Sequence, residues 1–70
     1  MSALLKRFDR EIAAITLRDV LAVHGIHAAI YEVDGTYEVH VRERDLGRAR
    51  ELLVGLSQGQ LESGGSAPQH

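Results

Sequence analysis

The sequence predicts a small α+β domain of order β-α-β-β-α, and three observations carry that prediction. The hydrophobic pattern switches to helical spacing after Asp9. An Asp34-Gly35 pair separates two alternating runs, and a second helical stripe fills residues 44–56 before the composition turns polar.

Residues 3–8, "ALLKRF", form a short apolar and basic run bounded by Asp9, and are expected to be the first strand. Ala13, Leu17, Val20, Leu21 and His24, with Ala14 beside them, then follow a helical stripe. Asp9 is the expected N-cap, Glu11 suits the first turn, and Gly25 suits the position just past the last turn. The first helix is therefore expected over about residues 10–24.

Asp34-Gly35 is a type I′ hairpin signal, because both central residues of that turn need φ > 0. A two-residue loop pairs Val33 with Thr36, Tyr31 with Glu38, Ile30 with Val39 and His27 with Arg42. In this register Ile26, Ala28 and Ile30 share a face with Tyr37, Val39 and Val41. His27, Ala29, Tyr31, Glu38, His40 and Arg42 occupy the other. One apolar face and one mixed polar face suit a sheet covered on one side.

Residues 44–56 place Leu46, Ala49, Leu52, Leu53 and Leu56 on one stripe of a second helix. Glu43 or Asp45 opens it, and Arg48 is positioned to pair with Glu51 on its outer face. Residues 57–70, "SQGQLESGGSAPQH", read as a flexible tail or linker after a single domain over 1–56. Both helices must bury their stripes on the apolar sheet face, giving a two-layer sandwich with the third strand central. The result is half-ferredoxin-like.

Seventy residues allow one domain with a marginal core, and the absence of cysteine excludes disulfides and thiolate zinc sites. A protein partner or a weak homodimer is one remaining source of stability. A net charge of −2 with interspersed signs gives no excess for a phosphate backbone, so nucleic acid is not an expected partner. Tyr31 is the lone aromatic on the open face, too little for base stacking. No apolar run approaches membrane-spanning length, so no membrane insertion is expected. The start, "MSALLKRFDR", is too briefly apolar for a secretory signal, and the expected location is cytoplasmic.

Three of the four histidines lie between Val23 and Val41. A zinc site needs three or four converging ligands. His27 and His40 share the open face only diagonally, Arg42 repels a cation there, and His24 belongs to the helix end. No metal and no cofactor are expected. His24 is expected to be a partly buried helix-end residue that favours the dipole when protonated. Ser2, Ser57, Ser63 and Ser66 lie in the terminal segments, and Gly25, Gly35 and Gly47 punctuate a cap, a turn and a helix start. These residues give no nucleophile and no phosphate loop, so an enzyme is not expected. The candidate interaction face comprises His27, Tyr31, Glu38, His40 and Arg42, a composition that suits protein contacts. Ile15, Ala22 and Val23 are more apolar than a solvated helix face needs.

Two stretches, "LRDVLAVHGIHAAI" and "YEVHVRERDLGRARELL", resemble the prokaryotic signal-transducing protein family, small bacterial domains of unknown biochemical role. Ala14, Leu17, Leu21, Gly25, Ile26, Val39, Val41, Asp45, Ala49, Arg50, Leu52 and Leu53 carry the resemblance, which covers roughly residues 3–54. It implies a non-enzymatic interaction or regulatory module. Most of these positions are core, cap and turn residues, and the hairpin is tighter than in many members. The same element order, with "LRDVLAVHGI", is also similar to the N-terminal cytosolic domain of bacterial rhomboid proteases, though no Trp lies on the third strand. That resemblance too implies a non-catalytic domain. A third reading is a small-ligand sensor similar to amino-acid-binding βαββαβ domains. Against it, Phe8-Asp9-Arg10 lacks a glycine at the helix start, and the closing strand is missing.

Overall fold

The computed structural model describes residues 1–66. It contains β1 (Ser2–Phe8), α1 (Glu11–Val23), β2 (Ala28–Val33), β3 (Thr36–Arg42), a 3-10 turn (Glu43–Asp45) and α2 (Leu46–Ser66). The β-α-β-β-α order is therefore as the sequence predicts. The sheet is antiparallel, in the order β1-β3-β2, with β3 central.

The hairpin follows its turn chemistry. Asp34 and Gly35 have φ of 51° and 80°, the left-handed pair that a type I′ turn requires. The turn leads into a ladder running from Val33↔Thr36 to Ala28↔Val41 without interruption. Thr36 Oγ1 donates to the Val33 carbonyl at 2.7 Å and braces the loop.

At the other seam, β1 carries a bulge. Ser2, Ala3 and Leu4 pair with Arg42, Val41 and His40; after one extra residue, Lys6, Arg7 and Phe8 pair with Val39, Glu38 and Tyr37. A regular strand cannot turn two adjacent leucines to the same side. With Leu4 on the open face and Leu5 on the core, unbroken alternation would turn Arg7 inward and Phe8 outward; the bulge at Leu5 resets the period, so that Phe8 also packs on the core and Arg7 lies opposite Glu38. Beyond the strand, the Glu43 N–H donates to the Met1 carbonyl at 3.0 Å and extends this seam.

The core forms where both helices meet the apolar sheet face. Ala14, Leu17 and Leu21 of α1 are buried with Ile26, Val39, Val41 and Ala49, and Leu5, Phe8, Ile30, Tyr37, Leu46, Leu52 and Leu53 pack around them. Of the α2 stripe, Leu56 does not reach this core and is exposed. Ala22 and Val23 are also exposed, whereas Ile15 is half-buried.

The end of α1 is tied down twice. The Gly25 N–H donates to the Ala22 carbonyl at 3.0 Å, and the Ile26 N–H to the Leu21 carbonyl at 2.9 Å. Gly25 has φ of 78°, so these two bonds make a Schellman cap, with Leu21 and Ile26 buried as its hydrophobic pair. Arg48 of α2 then donates from Nη2 to the His24 carbonyl at 2.9 Å, placing a cation at the negative end of the α1 dipole.

Four local expectations are corrected. The N-cap of α1 is Arg10, extended and without a side-chain cap, rather than Asp9. His24 is exposed rather than partly buried, because it occupies the C-cap where the chain leaves the helix. Arg48 reaches across to α1 instead of pairing with Glu51, since unpaired carbonyls at a helix end attract its guanidinium. α2 continues through Ser66, past the Leu56 end that its apolar stripe predicts. Residues 67–70, the last of the expected tail, lie outside the described residues. No helix among the described residues is long and apolar enough to cross a membrane.

Candidate functional site

The open face of the sheet is built around β3. Val39 and Val41 point into the core, so Glu38 and His40 point to the opposite side of the central strand, flanked by β1 and β2. Their side chains are only 13% and 20% exposed although no helix covers them. The neighbouring strands supply that burial. β1 sets Arg7 against Glu38 and Leu4 against His40; β2 sets Tyr31 against Glu38 and Ala29 against His40.

These side chains are linked. Arg7 donates from Nε and Nη2 to Glu38 Oε2, at 3.1 and 2.7 Å. His40 Nε2 lies 3.0 Å from Glu38 Oε1. An ionised carboxylate only accepts, so the network assigns a proton to Nε2. Tyr31 stands edge-on to His40, with ring centroids 4.9 Å apart and planes at 84°, a favourable aromatic geometry across the strands. His40 Nδ1 is buried without a hydrogen-bond partner among the described residues.

The hydrogen bond from His40 and then those from Arg7 hold the Glu38 carboxyl below its ordinary value near 4.5. Both of its oxygens are engaged, so the carboxylate acts as a tie between β1 and β3. It joins one strand's cation to the other strand's imidazole. Around this centre lies a more exposed rim of Leu4, Tyr31, Val33 and Arg42.

Tyr31, Glu38, His40 and Arg42 thus share one face as the hairpin register predicts. His27 does not join them. The ladder stops at Ala28↔Val41, and His27 lies before β2, exposed, beside a cleft with Arg18 and Asp19. The cause is the Schellman cap: Ile26 gives its N–H to α1, and residues 26–27 become the link between helix and strand. His40 and Arg42 stand two residues apart on β3, but the imidazole contacts Glu38.

Sequence reasoning missed Arg7 and Leu4, whose placement depends on the bulge. Among the described residues, no three His, Asp or Glu side chains converge as a metal site would require. No protein-family model, curated protein or solved structure matches this chain.

Proposed function

We propose that this chain is a small non-enzymatic interaction or regulatory module that docks a protein partner on the open sheet face, consistent with the signal-transducing domains it resembles. The observation that carries this reading is the tied centre of that face. Glu38 is fixed by Arg7 and His40 while Tyr31, half exposed at 50%, stands edge-on to the imidazole. Protein interfaces favour a preorganised aromatic anchor that loses little side-chain freedom on binding. Leu4 and Val33, each about 40% exposed, add apolar area, and Arg42 adds a rim charge.

The test is photo-crosslinking in cells from a benzophenone side chain at position 31, compared with the same group at Glu11 on α1. A discrete adduct from position 31, lost with Arg42→Glu, supports docking on this face. Equal or diffuse adducts from both positions would mean that the face is merely solvated.

A further inference from the structure

We propose that β2 is a docking edge for a second copy of this chain. Two β2 strands pair antiparallel about a two-fold axis at Ile30, and Glu32 of each copy lies over the Arg18 cleft of the other. This surface is the edge of the sheet rather than its open face.

The two free edges of the sheet are unlike. β1 carries a bulge together with Lys6 and Arg7, devices that discourage pairing with another strand. β2 is unbroken over Ala28–Val33, contains no Lys, Arg or Pro, and has Glu32 as its single charge. It is the edge without protection.

The hairpin fixes which backbone groups that edge presents. In a two-residue hairpin the pair beside the loop, Val33↔Thr36, exchanges hydrogen bonds, and the pattern then alternates along the ladder. Ala29, Tyr31 and Val33 therefore spend their N–H and C=O groups on β3. Ala28, Ile30 and Glu32 direct theirs outward.

A copy can meet these groups only in a register that keeps core-side residues opposite core-side residues. Centring the axis on Ile30 opposes Ala28 to the second Glu32, Ile30 to the second Ile30, and Glu32 to the second Ala28. Three pairs with two bonds each give about six hydrogen bonds. Centring on Tyr31 leaves only two such pairs, about four bonds. Centring on Glu32 sets two carboxylates directly opposite, which is unfavourable.

The Ile30-centred register also matches the side chains on both faces. On the open side each Tyr31 lies against the small Ala29 of the other copy, in a pair type where side chains approach closely. On the helix side each Glu32 faces the other Ala28. Ala28 lines a cleft of about 280 Å³ together with Arg18, Asp19, Ala22, Gly25, Ile26 and His27. Arg18 contacts Asp19 through Nε at a loose 3.6 Å and is nearly half exposed, leaving guanidinium N–H groups for an incoming carboxylate. The charges are complementary across the axis and occur twice.

The test uses the whole chain. Sedimentation from micromolar to millimolar concentration should show a reversible dimer. Hydrogen exchange followed by NMR should slow with concentration at the Ala28, Ile30 and Glu32 amides, and stay unchanged at Ala29, Tyr31 and Val33. Arg18→Glu and Glu32→Arg should each weaken the dimer at least about tenfold, and the double variant should restore it. Glu32→Pro, which removes an outward N–H without touching the β3 ladder, should give a folded monomer. Arg42→Glu should leave the dimer intact. A monomer through the whole range overturns the proposal. So does association without slowing of those three amides, or a charge swap that fails to restore pairing.

Discussion

β3 is paired on both sides, and its two seams are built differently. The β2 seam is local: a two-residue turn joins the strands, and one register runs from turn to end. The β1 seam joins residues far apart in the chain and changes register at Leu5. Turn geometry alone is enough to define the first seam. The second is set by which β1 side chains the core accepts, with the Arg7–Glu38 ion pair added on the open side.

The largest expected effect comes from the residue where the two seams meet. Val39 is fully buried and faces Ile30 on one side and Lys6 on the other. Val39→Ala removes two buried methyl groups and should cost about 2 kcal/mol, read as a lower denaturation midpoint with unchanged slope. A change below about 0.5 kcal/mol would show that the site collapses around the smaller side chain.

Breaking the local seam alone is the next step down. A Cβ at Gly35 meets nothing within 4 Å, so a side chain there is opposed by the backbone angle rather than by a clash. Gly35→Val should cost about 1–2 kcal/mol, because a β-branched residue is forced to positive φ. Gly35→Asn should recover much of the loss. A Val variant melting within a degree of the parent would argue against the type I′ turn.

The smallest effect separates the seams by pH. Glu38 titrates lower in the folded chain than its ordinary 4.5, so its contribution is present above the unfolded value and lost as pH falls through the folded one. Glu38→Gln should therefore be less stable than the parent at neutral pH, and the difference should shrink as the pH drops below about 4.5. A gap that persists at acid pH would assign the effect to packing rather than to the Arg7–Glu38–His40 tie.

The same contrast explains how much could be read in advance. The hairpin, its register and the shared face of Tyr31, Glu38, His40 and Arg42 follow from Asp34-Gly35 and a period of two, both local signals. Leu4 and Leu5 are adjacent and equally apolar, so nothing in "ALLKRF" says which of them enters the core. That choice belongs to the fit against α1 and α2, and with Leu5 chosen only the bulge lets Arg7 reach Glu38. His27 falls outside the ladder for a similar reason. The two cap bonds to Leu21 and Ala22 use residues that alternation alone would extend into β2. The role of Arg48 is equally non-local, since its acceptor, the His24 carbonyl, lies on the other helix.

The Schellman cap has a consequence for the order of events during folding. Leu21 and Ile26 are five residues apart, so the end of α1 and the entry to β2 can form at little loop-closure cost, and the hairpin follows within a dozen residues. β1 must instead close a loop of about thirty residues to bring Arg7 to Glu38. The helix end and the hairpin are therefore expected to be organised in the folding transition state, with the first strand adding afterwards. On that account Ile26→Val slows refolding, while Leu5→Ala mainly accelerates unfolding. A higher φ-value at Leu5 than at Ile26 would reverse the sequence.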